Sequence, residues 1–131
     1  MGNIVIGVDS STQSTKAIAW DKKGKVLAEG RCDIPLSNPS LEKFEQNVED
    51  WWNAFCVSCR ELSNHIEISE VDGLAISNQR ETLAKLDEDG KAIYPATVWM
   101  DKRSVREVED LNAAMGEGKI HELTGLSLIH I

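Results

Sequence analysis

Two stretches of the chain carry residue types suited to phosphates and to neighbouring hydroxyls. The first is Ile6-Gly7-Val8-Asp9-Ser10-Ser11-Thr12-Gln13-Ser14-Thr15-Lys16-Ala17. It reads as an apolar strand ending in a carboxylate, a tight hydroxyl-rich turn, and a second strand that opens with a cation. A carboxylate at the C-terminal end of a strand can hold Mg2+, largely through the ion's water shell. The turn from Ser10 to Gln13 offers backbone N–H groups and hydroxyls to phosphate oxygens. Lys16 adds positive charge nearby. The plain alternative is a polar hairpin turn with a solvated lysine, because Ser and Thr are ordinary turn residues. No G-x-x-x-x-G-K-[ST] occurs, so this is not a Walker A loop.

The second stretch is Ile76-Ser77-Asn78-Gln79-Arg80-Glu81-Thr82, followed by Ala96-Thr97-Val98-Trp99 and Asp101. Adjacent Arg80 and Glu81 supply fixed donors and a charged acceptor, which suits neighbouring hydroxyls. A site built on such groups discriminates strongly against a ligand that lacks one hydroxyl. Trp99 offers a flat surface to the carbon face of the ligand. The plain alternative is a surface ion pair and a core tryptophan. A phosphate end and a polyol end on one small sheet together suggest phosphoryl transfer to a sugar.

These residues need elements to hold them. Residues 3–8 form a continuous Ile/Val-rich run, the pattern of a buried strand. Residues 15–20 and 25–34 read as two further strands joined by the turn Asp21-Lys22-Lys23-Gly24, so the chain opens as an antiparallel meander. Pro35, Pro39 and small polar residues predict a loop over 36–44. Asn47 reads as a helix N-cap, with Glu49 and Asp50 in the first turn. Val48, Trp52, Phe55, Cys59 and Leu62 fall on one helical face, predicting a helix to about residue 64 that covers the sheet. Residues 72–77 predict a strand, and the intervening helix makes its pairing with the first strand parallel. Residues 82–86 and 92–94 read as a hairpin about Asp87-Glu88-Asp89-Gly90, and 96–99 as a strand. Val105, Val108, Leu111 and Met115 predict a helix over 101–115. The order βββαβ defines an α/β domain.

At 131 residues the length predicts one domain with a real core. The net charge of −8, from 22 acidic and 14 basic residues with no basic cluster, argues against nucleic acid or an anionic membrane as partner. No apolar run has the length of a membrane span, and Ile4–Val8 is too short for a signal peptide. The chain therefore reads as cytoplasmic. Three cysteines give no disulfide framework. Cys56-Val57-Ser58-Cys59 is a CxxC inside the predicted helix, and no second CxxC completes a zinc site, so it reads as a pair of small helical residues. His65 and His121 have no partner placed by the sequence.

The segment I-G-V-D-S-S-T-Q-S-T-K-A-I-A-W-D resembles the N-terminal phosphate motif of the FGGY carbohydrate kinases. That family includes glycerol kinases and xylulokinases and belongs to the actin-like ATPase superfamily. The resemblance continues through F-E-Q-N-V-E-D-W-W, I-S-N-Q-R-E-T and A-T-V-W-M-D-K-R to L-T-G near residue 125, in order and with matching spacing. Many relatives carry Gly at the position of Ser11, where Gly permits positive φ and close phosphate approach. Ser11 must instead adopt an allowed conformation or donate its hydroxyl.

The resemblance implies an actin-like, ribonuclease-H-like α/β domain, incomplete here, whose mixed sheet opens with the antiparallel meander. It implies transfer of the γ-phosphoryl group of Mg-ATP to a sugar or polyol hydroxyl, chemistry dominated by positioning and charge neutralisation. By the same resemblance Asp9 anchors Mg2+. Ser11, Thr12, Gln13 and Lys16 contact the ATP phosphates. Arg80, Glu81, Trp99 and Asp101 hold the acceptor. The family's general base, an aspartate, is expected beyond Ile131, as is most of the adenine pocket, so no catalytic residue is assigned here and the chain alone is expected to be inactive. N-Q-R-E-T is closer to glycerol kinases than to xylulokinases, which usually carry G-Q-M-H. A-T-V-W-M-D-K-R and D-E-D-G-K-A-I-Y-P occur in both, leaving the acceptor open between glycerol, another polyol and a ketose. A homo-oligomer of the full-length protein stays open. The rival from a different class is a non-catalytic actin-like module that senses sugar or nucleotide. Residues 1–125 form the opening part of the first kinase domain on this reading. Leu126-Ser127-Leu128-Ile129-His130-Ile131 resembles one reading frame of a mosaic-end adapter and reads as a non-natural tail; the plain alternative is a genuine short C-terminal strand.

Overall fold

In a computed structural model of the chain, which describes residues 2–116 and 118–125, Asp9 lies in a four-stranded sheet whose strands run side by side as Val26–Asp33, Ser14–Asp21, Ile4–Ser10 and Val71–Asn78. The tail at 126–131 lies outside the described residues. Strands β1 (Ile4–Ser10), β2 (Ser14–Asp21) and β3 (Val26–Asp33) form the antiparallel meander. Helix α1 (Val48–Ser63) follows, and β6 (Val71–Asn78) then pairs parallel to β1. The mixed sheet expected from the sequence is therefore present.

Alternation along β1 explains its placement. Ile4, Ile6 and Val8 are buried with Ala17, Ala19, Ala28 and Leu62, and Phe55, Cys59, Ile66 and Val71 pack around them. Full burial of one such aliphatic side chain is worth roughly 1.5–3 kcal/mol. The opposite face of β1 carries Val5, Gly7 and Asp9. Asn47 caps α1 as expected: its Oδ1 accepts the Glu49 N–H at 3.2 Å.

Leu62, Phe55 and Cys59 of the predicted face of α1 pack on the core, but Trp52 does not. Ala54, Ser58 and Leu62 are the buried residues, whereas Trp52 is 63% exposed and stacks on Phe55 with ring centroids 5.3 Å apart. Backbone approach decides this. Gly30 on β3 lies so near α1 that a Cβ there would overlap the carbonyl oxygen of Ser58. The Ser58 hydroxyl bonds to Thr15 O at 2.9 Å and to Ala54 O at 2.8 Å. Only small residues fit that contact, so Trp52 turns aside while Phe55 packs at its margin.

The chain divides into two compact units, where length predicted one. The first comprises the residues up to Leu36 together with Asn47–Gln79; the second comprises Ser37–Gln46 and the residues from Arg80 on. The second unit holds a three-stranded sheet of order β4-β5-β7, formed by β4 (Ser37–Ser40), β5 (Lys43–Gln46) and β7 (Ala96–Thr97). The predicted loop over 36–44 is thus a hairpin. Asn38 Nδ2 ties it by donating to Ser40 O and Lys43 O at 2.6 and 2.7 Å. Pro39 sits on the outer strand β4, where a missing N–H is tolerated.

The predicted hairpin at 82–94 is present mainly as its turn. Asp87 Oδ1 accepts the N–H groups of Asp89 and Lys91, while the flanking strands reduce to the bridges Leu83–Thr97 and Leu86–Ala92. Helix α2 runs from Val105 to Met115, shorter than the predicted 101–115, with Val105, Leu111 and Met115 left exposed. A short α3 (Lys119–Thr124) follows, with Ile120 buried. No helix among the described residues is long and apolar enough to cross a membrane.

Candidate functional site

In the first unit, Asp9 stands exposed near the C-terminal end of β1, opposite Lys16 on β2 and Ser77 on β6 in the strand register. Three residues, Ser11–Gln13, connect the strands, and the Ser11 N–H closes the turn on Ser14 O at 3.0 Å. Ser11 turns its hydroxyl inward and donates to Asp9 Oδ2 at 2.8 Å. Its φ is not positive, so Ser11 supplies the hydroxyl and needs no glycine-like conformation. Ser10 and Thr15 hydroxyls meet at 3.1 Å beneath the turn. Two more bonds fix its flanks: Gln79 N–H to Ser10 O and Ile34 N–H to Gln13 O. Thr12 is half-buried and Gln13 exposed. The Lys16 ammonium lies 3.0 Å from Glu29 Oε1, with both side chains nearly half exposed. A solvated pair of that kind is worth at most about 1 kcal/mol and exchanges easily for another anion. A hollow of about 360 Å³ beside Asp9 and Lys16 is lined by Gly7, Ile18, Trp20, Ala75 and Ser77.

In the second unit, Glu81 is held at φ 56, the one left-handed non-glycine among the described residues. Such a backbone costs a residue with a Cβ about 1–2 kcal/mol. It keeps the Glu81 side chain only 16% exposed, while Arg80, 3.7 Å away, projects at 77% exposure. Glu81 lines a cavity of about 310 Å³ with Thr82, Leu83, Lys85, Trp99, Asp101 and Arg103. Thr82 Oγ1 accepts the Trp99 N–H at 3.3 Å. Trp99 is substantially exposed and is no core residue.

Asp101 is held differently from the other three. Its side chain is 3% exposed, and its two oxygens accept from Phe44 N–H, Arg103 N–H, Arg103 Nε and Arg103 Nη2 at 2.7–3.0 Å. Burial pushes its pKa up. The hydrogen bonds from Arg103 and from the Phe44 and Arg103 N–H groups, together with the guanidinium charge, outweigh burial and lower it to about 2. Arg103 also reaches Glu45 Oε1 at 2.7 Å, and its own pKa is raised by bonds to Asp101 and Glu45. Sequence reasoning passed over Arg103 and Glu45. The available signal was the D-x-R spacing, which lets an arginine fold back on an aspartate two residues earlier.

Among the described residues no group of three His, Cys, Asp or Glu side chains is placed to hold a metal. Cys32, Cys56 and Cys59 are free, and burial, with Cys56 beside it, pushes the Cys59 thiol up, away from the reactive thiolate.

A sequence profile described as the N-terminal domain of the FGGY family of carbohydrate kinases matches residues 4–131. The chain belongs to the FGGY family. Among FGGY relatives, the glycerol kinase of Gluconobacter oxydans is 36% identical over 126 residues, 95% of this chain and 25% of that protein. The xylulose kinase of Staphylococcus xylosus is 30% identical over 120 residues, 92% of this chain and 25% of that one. The crystal structure of xylulose kinase from Rhodospirillum rubrum matches with a TM-score of 0.84 at 26% identity, covering 90% of this chain and 25% of the other. The chain thus spans about a quarter of the length of the curated relatives it matches. Its fold is the actin-like ATPase fold of the FGGY kinases.

Proposed function

We propose that the protein transfers the γ-phosphoryl group of ATP to a hydroxyl of a sugar or polyol. Glu81 carries this reading: a carboxylate kept facing a cavity beside Trp99, against its backbone preference, is a hydroxyl acceptor prepared in advance. Residues 1–125 form the opening part of the first kinase domain, and the general base is supplied by sequence beyond Ile131.

Mg2+ needs one or two carboxylates plus the phosphates of its nucleotide. One exposed Asp9 at a strand end fits an ion that arrives with ATP, and a three-ligand cage is not required. Mg-ATP held there would supply the phosphoryl group and, through the ion, offset the charge of its phosphates. Ser11, by donating to Asp9 Oδ2, holds that carboxylate in place. The 11–14 turn and the Thr12 and Gln13 side chains contact phosphate oxygens, and Lys16 exchanges Glu29 for phosphate. At the acceptor, Glu81 receives a hydroxyl proton donor, Arg80 donates to a neighbouring oxygen, and Trp99 covers the carbon face. Asp101, its oxygens taken up by Arg103 and Phe44, fixes the segment that carries Trp99.

The test is a coupled assay of ADP formation by the full-length protein, run with glycerol, longer polyols and ketoses, together with Asp9→Asn. Turnover that depends on one acceptor class is expected. Asp9→Asn should cut turnover strongly and raise the Mg2+ requirement while the melting temperature holds. Ligand binding without turnover for every acceptor would favour the sensing module. Normal kinetics with a lowered melting temperature in Asp9→Asn would make that aspartate purely structural.

A further inference from the structure

Trp99 rides on a segment with no regular structure of its own. Asp101 N–H closes a single turn on Val98 O at 2.8 Å, and Trp99 sits inside it. The turn is fastened from one side by a compact polar cluster. Asp101 Oδ1 accepts Arg103 Nε at 2.8 Å, and Oδ2 accepts Arg103 Nη2 at 2.7 Å, a bidentate fork. The same Oδ2 accepts the Phe44 N–H from β5 at 2.8 Å, and Arg103 Nη2 extends to Glu45 Oε1 at 2.7 Å. The Val98 N–H returns to Phe44 O at 3.0 Å. One guanidinium therefore joins two carboxylates that stand at 3% and 19% exposure, and those carboxylates belong to the Trp99 segment and to β5.

We propose that Arg103 is a positioning residue for the acceptor: it fixes Asp101, and through the Val98–Asp101 turn it fixes the Trp99 ring along the cavity that Glu81 lines. This rests on the kinase reading above. A planar five-donor fork is required, because a lysine ammonium is a point charge that cannot serve both Asp101 oxygens and Glu45 at once. Removing the cation leaves Asp101 and Glu45 as uncompensated acids on adjoining segments, and the turn must shift to separate or solvate them. A displacement near 1 Å at a substrate-positioning group can cost on the order of a hundredfold in rate. Every partner in the cluster belongs to the β5 or the Trp99 segment, so the loss should fall on the acceptor.

The experiment compares Arg103→Lys and Arg103→Ala in the full-length protein, measuring KM for acceptor and for ATP separately. In Arg103→Lys the acceptor KM should rise roughly tenfold to a hundredfold, while the ATP KM stays within about threefold. Adding ethylguanidinium to Arg103→Ala should recover part of the acceptor KM and leave the ATP KM unchanged. Arg103→Lys keeps the charge and so keeps the fold testable if Arg103→Ala unfolds. An unchanged acceptor KM in Arg103→Lys, or equal rises in both KM values, would overturn the proposal. Absence of acceptor-dependent turnover in the unmodified protein would overturn the kinase reading, and this inference with it. The two failures are told apart because the second precedes any substitution.

Discussion

Replacing Glu81 by Ala and by Gly separates what its side chain does from what its backbone costs. Both variants delete the carboxylate, so both lose the same contacts, including the 3.7 Å pair with Arg80. With Arg80 mostly exposed, that pair is worth at most about 1 kcal/mol. The variants differ only in the Cβ at φ 56. Alanine keeps the left-handed cost of about 1–2 kcal/mol. Glycine escapes it but loses about 0.4–1 kcal/mol through the freedom of its unfolded chain. Glu81→Gly should therefore be more stable than Glu81→Ala by roughly 0.5–1 kcal/mol, the reverse of the usual order. Urea unfolding resolves this as a midpoint difference of a few tenths molar for a slope of about 1–3 kcal/mol/M. Arg80→Ala against Arg80→Gly is the control: its φ is not positive, so alanine should win there. Both Glu81 variants should raise acceptor KM about tenfold or more, the value of one or two buried hydrogen bonds. An alanine variant at least as stable as the glycine variant would refute the strain argument, and unchanged acceptor KM would refute the hydroxyl contact.

Two further outcomes follow from packing and from charge. Gly30→Ala places a methyl group onto the Ser58 carbonyl oxygen and should cost about 1–3 kcal/mol in urea unfolding, whereas Gly73→Ala, with nothing within 4 Å of its Cβ, should be close to neutral. The carboxyl of Asp101 titrates at about 2 in the folded chain, below its unfolded value of about 3.9. A depressed carboxylate stabilises above the unfolded pKa and loses that contribution as pH falls through the folded one. Acid unfolding should therefore steepen between about pH 4 and pH 2, and Asp101→Asn should be less stable at neutral pH and less pH-dependent across that window.

The first unit was largely legible because its signals are local and redundant. The apolar run at 4–8, the Asp21–Gly24 turn, the Asn47 cap and the apolar strand at 72–77 each name an element, and each is present. On α1, Trp52 was misplaced because periodicity weighs it above Ala54 and Ser58. The deciding contact is a backbone approach at Gly30, a tertiary fact that periodicity does not encode. The second unit was harder. Strands β4 and β5 are four residues each, polar, and interrupted by Pro39, so neither alternation nor propensity marks them. Of the candidate site, residue types and order were readable for Asp9, Ser11, Lys16, Glu81 and Trp99. The left-handed turn at Glu81 carries no local mark. The Asp101–Arg103 pair was legible in the D-x-R spacing, but the ties of Arg103 to Glu45 and of Asp101 to the Phe44 N–H cross more than fifty residues, which no local pattern reveals.

That same Arg103–Glu45 tie, spanning 58 residues, also orders events during synthesis. The meander closes through contacts between near neighbours, and α1 can pack on it once residue 63 has emerged. Glu45 and the Phe44 N–H must wait for Arg103 and Asp101. At about 5–20 residues per second this is roughly 3–12 s on the ribosome. Long-range closure of this kind is the slow step of folding. The nascent chain can thus form the Asp9 turn first and the cavity lined by Glu81 later, so partial products halted between these points would hold one without the other.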